Sequence, residues 1–162
     1  MKKKILTAEQ ARALSDEMRE NGRKLVFTNG CFDLLHVGHV RYLQAARALG
    51  DALLVAINAD ESVRALKGDG RPLNGAEDRA ELIAALQWVD HVVIFSEVRA
   101  TQLLALVRPA IYVKGGDYTK DSLDAEERAT LEQIGTEIRI LRFEPGHSTS
   151  GLLEKIKQQV GA

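Results

Sequence analysis

Short apolar runs alternate with helical patterns along the chain, and this alternation restricts the possible folds more than any other property. The run DALLVAIN, which starts at Asp51, is almost uniformly apolar, as expected of a strand buried on both faces of a parallel sheet. Strands separated by helices predict an α/β domain, because right-handed crossovers place helices on both faces. We therefore predict one domain with a five-stranded parallel sheet, its strands at about 24–28, 51–58, 91–95, 110–117 and 137–141.

Capping signals predict where helices begin. Thr7 and Gln10 have the spacing of a capping box, so the first helix is expected to start at Thr7. Asn74 and Glu77 have the same spacing and predict a second helix start. The apolar face of that helix is expected to consist of Leu82, Ile83 and Leu86.

Composition and charge exclude several classes of protein. Apolar residues make up 45% and charged residues 28% of the 162 residues, and a net charge of −1 gives no broad basic surface for nucleic acid or anionic lipid. Cys31 is the single cysteine, which excludes an intrachain disulfide. No run approaches the roughly 18 apolar residues of a membrane span, and no signal peptide follows the N-terminal lysines. We expect a soluble, cytoplasmic protein that binds neither membranes nor nucleic acid.

Four loops are predicted to surround the ligand site. In an open parallel sheet, ligands bind beyond the carboxyl ends of the strands, where the strand order reverses. The loops at that edge are 29–39, 58–74, 114–122 and 143–151. If the strands follow the usual order, those predicted at 24–28 and 110–117 are neighbours at this point. The loops 29–39 and 114–122 then face each other.

The first of these loops contains two histidines in the segment GCFDLLHVGH. If a helix begins near His36, the spacing of three residues places His36 and His39 on one face of its amino end, where free N–H groups favour an anion. Gly38 removes a side chain that would crowd such a site. The alternatives are a zinc pair, which would need a third protein ligand, and two partly exposed capping histidines.

The segment GCFDLLHVGH resembles the signature of the nucleotidyltransferase superfamily, Gly-x-Phe-Asp followed by His-x-Gly-His. Cys31 and Ser150 stand where many relatives have threonine, and both keep a small side chain. The resemblance covers about residues 24–158, a catalytic core after an N-terminal helix at 1–22, and it implies a Rossmann-like fold. The segments LKGDGRPLN, DRAELIAAL, VDHVV, YVKGGDY and HSTSGLLEKI resemble the heptose 1-phosphate adenylyltransferases, which also occur as a domain of bifunctional ADP-heptose synthases.

The resemblance implies transfer of AMP from ATP to heptose 1-phosphate, with Mg²⁺, to give pyrophosphate and ADP-heptose for lipopolysaccharide or another surface polysaccharide. It assigns His36 and His39 to the triphosphate and Lys67 to a phosphate of the acceptor or of the transferring group. Asp33 and Arg71 are expected at the acceptor, with Asp33 as a possible metal ligand. The implied nucleotide-binding residues are Thr28, Asn29, Gly30, Cys31, Phe32, Gly38, Arg79, Lys114, Gly115, Asp117, Ser148, Thr149 and Ser150. A homodimer or a larger homo-oligomer is also expected.

Most of these assignments have a structural alternative. Lys67 is equally consistent with a solvated loop lysine. Arg79 fits a surface ion pair with Glu77 or Glu81 as well as a triphosphate contact. Turn and capping roles are the alternatives for Asp117 and for Ser148, Thr149 and Ser150.

Other functions compete with the adenylyltransferase interpretation. A cytidylyltransferase for glycerol 3-phosphate or a similar polyol phosphate shares the lead motif. A nucleotide-binding regulator without catalysis is the alternative from another class, although retention of both histidines and Lys67 speaks against it. A dinucleotide-dependent oxidoreductase fits poorly because the first loop contains no GxGxxG. A tRNA synthetase-type enzyme shares the histidine motif, but this chain has neither the length nor a basic anticodon-binding region.

Overall fold

The computed structural model describes residues 2–116, 119, 122–141 and 149–160, without the side chains of residues 2, 150 and 157. A short 3₁₀ turn at Lys2–Lys4 precedes the regular elements. The strands of the described residues are β1 Ile5–Leu6, β2 Leu25–Gly30, β3 Ala52–Asn58, β4 His91–Phe95, β5 Ile111–Gly115 and β6 Glu137–Leu141. The α-helices are α1 Ala8–Glu20, α2 Val37–Arg47, α3 Asp60–Lys67, α4 Ala76–Ala84, α5 Thr101–Val107, α6 Ala125–Gln133 and α7 Thr149–Val160.

The sheet is parallel throughout, with the strand order β1-β4-β3-β2-β5-β6. This confirms the predicted α/β class, but the predicted count of five strands is wrong, because β1 adds a sixth at one edge. Ile5 and Leu6 pair with Val92 and Val93. A strand of two residues is too short to produce a periodic pattern in the sequence. It is recognised as a strand only by its pairing with β4 in the structure.

Helices cover both faces of the sheet. Met18 of α1, Leu104 of α5 and Leu131 of α6 belong to one apolar cluster. Leu43 of α2 and Ile83 of α4 belong to a second cluster. Strand β3 contributes alternate residues to the two clusters, which explains why its sequence is apolar at nearly every position.

One predicted helix start is confirmed and the other is wrong. The Thr7 hydroxyl accepts a hydrogen bond from the Gln10 amide (3.2 Å), and the Gln10 side chain accepts one from the Thr7 amide (2.9 Å), which is the predicted capping box. Helix α4 instead begins at Ala76 after Gly75, because the backbone and side-chain amides of Asn74 both donate to Asp33. Leu82, predicted for the apolar face of α4, is 49% exposed.

The strand order reverses at β2, which has β3 on one side and β5 on the other. Phe27 pairs with Tyr112, and Thr28 pairs with Val113. The prediction that the first and fourth expected strands are neighbours is therefore confirmed, and the loops after β2 and β5 start side by side. Within the described residues, no helix is long and apolar enough to cross a bilayer.

Candidate active site

A cavity of about 410 Å³ opens at the carboxyl ends of β2, β3 and β5. This is the place that the general rule for open parallel sheets predicts. The volume lies in the range typical of small-molecule sites. Eleven of the residues predicted for the site line it: Asn29, Gly30, Cys31, Phe32, Asp33, His39, Lys67, Arg71, Lys114, Gly115 and Thr149.

The turn after β2 is built around Phe32. Phe32 has a φ of 47°, in the left-handed region that non-glycine residues rarely adopt. Its ring lies close to Gly30, where an added Cβ would come within 3.1 Å of the ring atom Cε2. The same ring lies 5.4 Å from the His39 imidazole, measured between centroids. A side chain at position 30 would therefore press on the Phe32 ring that packs against His39.

His36 and His39 form a stacked pair at the start of α2. Their ring centroids are 3.9 Å apart, and His36 is the N-cap residue of the helix. The His36 amide donates to Nδ1 of His39 at 3.3 Å, so the neutral His39 ring carries its proton on Nε2. Burial, and then the nearby His36, lower the pKa of His39 to about 4. His39 thus offers a neutral N–H donor to the cavity at ordinary pH.

The zinc interpretation of the histidine pair gains no support. Within the described part of the chain, no group of three or more His, Cys, Asp and Glu side chains is placed to hold a metal ion. His36 itself does not line the cavity, although it stacks directly on a residue that does. Gly38 is buried within the first turn of α2.

Asp33 anchors the loop that precedes α4. Its Oδ2 pairs with Nη1 of Arg71 at 2.6 Å, and its Oδ1 accepts from the amides of Leu73 (2.8 Å) and Asn74 (3.1 Å). The side-chain amide of Asn74 donates back to the Asp33 carbonyl at 2.9 Å. Both carboxylate oxygens are therefore engaged within the protein, in a loop-anchoring role rather than as an open metal ligand.

Arg79 is fully buried and holds three loops together. Its guanidinium donates to the carbonyls of Asn74 (2.9 Å), Cys31 (2.6 Å) and Asn58 (2.8 Å), and it pairs with Asp60 at 2.7 Å. The alternative of a surface ion pair with Glu77 or Glu81 is therefore wrong. Arg79 does not line the cavity, and these contacts within the protein give it a structural role.

The opposite wall of the cavity carries a polar network around Lys114. The Asn29 side-chain oxygen accepts from the Tyr112 hydroxyl at 2.9 Å and from Nζ of Lys114 at 3.3 Å. Burial lowers the pKa of Lys114, and the negative charge of Glu127 opposes that shift. Burial likewise raises the pKa of the Cys31 thiol, so this cysteine favours the uncharged form.

Some predicted residues lie outside the cavity lining. Thr28 is buried below the site, where its hydroxyl is 2.7 Å from the Tyr42 hydroxyl, which in turn donates to the Val113 carbonyl at 3.1 Å. Thr149 does reach the site, and its hydroxyl donates to the Leu34 carbonyl at 3.4 Å. The predictions for Asp117, for Ser148 and for the side chain of Ser150 lie outside the described residues.

Six residues that line the cavity were not predicted individually, although Asn58 and Leu66 lie in the predicted loop 58–74. Tyr42 follows His39 by three residues on the same helix, so helical spacing gave a usable signal. Val98 and Arg99 follow β4, whose carboxyl end should have been included among the site loops. No sequence pattern singles out Glu127. The six residues are Tyr42, Asn58, Leu66, Val98, Arg99 and Glu127.

Comparisons with known proteins identify the family of this chain. A sequence model described as Cytidylyltransferase-like matches residues 27–154. The chain is 46% identical over 157 residues to the bifunctional protein HldE of Geobacter sulfurreducens, covering 97% of this chain and 30% of that protein. It is 47% identical over 154 residues to the bifunctional protein HldE of Geotalea uraniireducens, covering 95% of this chain and 31% of that protein. The chain therefore spans less than a third of the length of these relatives.

Solved structures share the fold. The lipopolysaccharide core biosynthesis protein of Thermoplasma volcanium is 30% identical, with a TM-score of 0.62 over 76% of this chain and 98% of that one. The pantoate-beta-alanine ligase of Francisella tularensis is 15% identical, with a TM-score of 0.59 over 91% of this chain and 69% of that one, and it supports the fold alone. The family match and the close relatives together establish that the chain belongs to the cytidylyltransferase-like family and is a nucleotidyltransferase.

Proposed function

We propose that the protein transfers AMP from ATP to D-glycero-D-manno-heptose 1-phosphate, releasing pyrophosphate and forming ADP-heptose. The observation that carries this proposal is the cavity wall, which combines the Nε2–H donor of His39 with the cations Lys67, Arg71 and Lys114. Such a wall suits two phosphate-bearing substrates. The resemblance of residues 24–158 to heptose 1-phosphate adenylyltransferases, and the similarity of the chain to the HldE proteins, favour this pair of substrates.

The proposed reaction needs no protein nucleophile. An oxygen of the sugar phosphate attacks the α-phosphorus of ATP, and the bond from that phosphorus to the oxygen bridging the β-phosphate breaks, so that pyrophosphate leaves. The transition state requires in-line geometry and donors for the equatorial oxygens. In this proposal His39 donates from Nε2 to the α-phosphate, while Lys67 and Arg71 hold the attacking phosphate.

Mg²⁺ enters this proposal as part of the ATP substrate. Mg²⁺ usually keeps several waters and is often bound by substrate phosphates plus one or two carboxylates. Asp33, the carboxylate predicted as a possible ligand, has both oxygens engaged by Arg71 and by backbone amides. In this proposal Asp33 therefore holds its loop, and Mg²⁺ is bound by the triphosphate of the substrate.

The test is a crossed assay of the purified protein. ATP and CTP are each combined with heptose 1-phosphate and with glycerol 3-phosphate, and pyrophosphate release is followed. The proposal predicts turnover with ATP and heptose 1-phosphate at least about tenfold faster than with any other pair, equal to roughly 1.4 kcal/mol of transition-state discrimination. Turnover with CTP alone would establish a cytidylyltransferase instead. Tight ATP binding without turnover of any pair would favour a regulator.

We also propose a cytoplasmic location, because the reaction consumes ATP, and a homodimer or larger homo-oligomer. Cell fractionation tests the first statement, and light scattering coupled to size-exclusion chromatography tests the second. A periplasmic protein or a strictly monomeric one would contradict the respective statement.

A further inference from the structure

A buried carboxylate outside the predicted site faces the same cavity. Glu127 lies in the first turn of α6, is only 4% exposed and lines the cavity wall near Lys114. It is not needed to cap its helix, because Asp124 Oδ1 already accepts from the amides of Glu126 and Glu127. The burial of Glu127 therefore calls for another explanation.

The contacts of Glu127 within the protein are weak for a buried charge. Oε1 accepts from the Ala100 amide at 3.3 Å, and Oε2 lies 3.4 Å from the Tyr112 hydroxyl, whose single proton has a nearer acceptor in Asn29 at 2.9 Å. Both donors are neutral, and both distances are at the long end of hydrogen bonding. A carboxylate offers about four acceptor positions, so these two contacts leave it able to accept further hydrogen bonds. The Lys114 ammonium lies close enough for its charge to interact with Glu127, but it donates to Asn29. Within the described residues the buried carboxylate thus has a nearby charge but no charged hydrogen-bond donor, which leaves its burial costly.

The chemistry of phosphate excludes the phosphates of the substrates as that partner. A phosphate is an anionic acceptor, so close approach to Glu127 would be repulsive. The other described carboxylate in the lining, Asp33, is already paired with Arg71. Lys67 and Arg71 lie in the segment after β3, whereas Glu127 lies in the segment after β5, on the other side of β2. Glu127 thus lies away from the two cations that hold the attacking phosphate in the proposed reaction, in a part of the cavity that it shares with Lys114 and where a substrate hydroxyl can donate to it.

We propose that Glu127 is a specificity-determining residue that accepts a hydrogen bond from a hydroxyl group of a bound substrate. The inference rests on the proposed function, in which both substrates carry such hydroxyls beside their phosphates. The ribose of the nucleotide and the sugar of the acceptor provide the same chemistry. Glu127 would hold that part of a substrate while the cations hold its phosphates.

The test compares Glu127→Ala and Glu127→Gln with Glu126→Gln, a matched control on the exposed side of the same helical turn. For each protein, kcat/KM is measured with ATP, 2′-deoxy-ATP and 3′-deoxy-ATP, and with the acceptor and its deoxy analogues. Wild type and Glu126→Gln should prefer the full substrate over one deoxy analogue by about tenfold, as expected for one hydrogen bond to a charged group. In Glu127→Ala this preference should fall below about twofold, with Glu127→Gln between them.

A merely structural role for Glu127 predicts a different result. Loss of the contact to Ala100 would lower kcat/KM for full and deoxy substrates alike and leave their ratio unchanged. An unchanged ratio for every analogue in a folded Glu127→Ala protein overturns the inference. A changed ratio supports it, and the analogue affected identifies ribose or acceptor as the partner.

Failure of the proposed function remains distinguishable from failure of this inference. If the wild-type protein yields no product with any substrate pair, the proposed function is wrong. Titration calorimetry with ATP, the sugar phosphate and their deoxy analogues then measures the same preference as a ratio of affinities. Loss of that preference in Glu127→Ala supports the inference, and an unchanged or absent preference overturns it.

Discussion

The imidazole rings of His36 and His39 are stacked with their planes 27° from parallel, and burial together with His36 lowers the pKa of His39 to about 4. In the unfolded chain His39 takes up its proton near pH 6.5. Between these two pH values the unfolded state binds more protons, so the free energy of unfolding falls as the pH falls. The contribution of His39 is fully present above about pH 6.5 and is lost towards pH 4.

We predict that the wild-type free energy of unfolding decreases from pH 6.5 to 4 by more than that of His39→Gln, the difference being at most about 3 kcal/mol. Urea denaturation at several pH values measures this, and NMR titration of the ring protons gives the midpoint directly. In His36→Asn the pH midpoint of the His39 titration should rise, because the lowering effect of His36 on the pKa of His39 is removed. A wild-type midpoint between 6 and 7 would contradict the prediction.

Replacement of His39 by alanine should remove a donor that acts in the transition state. We expect His39→Ala to lower kcat at least about tenfold, equal to roughly 1.4 kcal/mol, while ATP still binds. Steady-state kinetics and calorimetric titration with ATP check the two halves of this statement. Unchanged kcat would exclude His39 from the mechanism.

The anchoring of the loop by Asp33 predicts a local effect on amide exchange. Asp33→Ala removes the acceptor of the Leu73 and Asn74 amides, so hydrogen exchange at both positions should accelerate at least about tenfold. Asp33→Asn keeps an acceptor oxygen but loses the ion pair with Arg71, so its exchange should accelerate less. Equal protection of both amides in wild type and Asp33→Ala would show that the loop is held by other contacts.

The buried guanidinium of Arg79 predicts a large effect on stability. Arg79→Met leaves three backbone carbonyls and Asp60 without their donor, so the free energy of unfolding should fall by about 3 kcal/mol or more. Arg64→Met, at an exposed position of α3, is the matched control and should change it by less than about 0.5 kcal/mol. Chemical denaturation measures the free energy of unfolding of both variants. Equal decreases in Arg79→Met and Arg64→Met would contradict the role of Arg79 in holding the loops together.

The close approach of Gly30 to the Phe32 ring predicts coupling between these residues. Gly30→Ala should lower the free energy of unfolding by about 1 kcal/mol or more, because the added methyl group displaces the ring that packs against His39. In a Phe32→Leu background the same change should cost less, since the contacted ring atom is absent. A double-mutant cycle measures this, and strictly additive effects would exclude the contact as the cause.

The fold was predictable wherever burial leaves a pattern in the sequence. Strand β3 is buried on both faces and is therefore apolar at nearly every position, whereas β1 has only Ile5 and Leu6 and leaves no pattern. Leu82 and Ile83 both fit an apolar helix face by spacing, yet only Ile83 is buried, because the sheet defines which side of α4 is covered. The spacing of apolar residues along the helix does not indicate which side of α4 faces the sheet.

The site was predictable to the extent that it follows the ends of strands. The residues Asn29–Asp33 and Lys114 lie at the carboxyl ends of β2 and β5 or directly after them, within the loops that the strand-end rule indicated, and the family resemblance implied the same residues. Arg79 precedes Ile83 by four residues and so shares its buried face, but an arginine there resembles a surface residue until its acceptors are known. Those acceptors are backbone carbonyls of distant loops, which no residue type in the sequence reports.

Most of the hydrogen bonds that anchor the cavity loops are made to main-chain atoms. Asp33 holds the amide of Leu73, and Arg79 holds the carbonyls of Cys31 and Asn58. Main-chain groups persist through almost any substitution, so the side chains at these positions are free to vary without loosening the frame. Evolution, or a designer, can therefore alter which substrates the cavity accepts by changing Cys31, which lines it, while two charged residues preserve its shape.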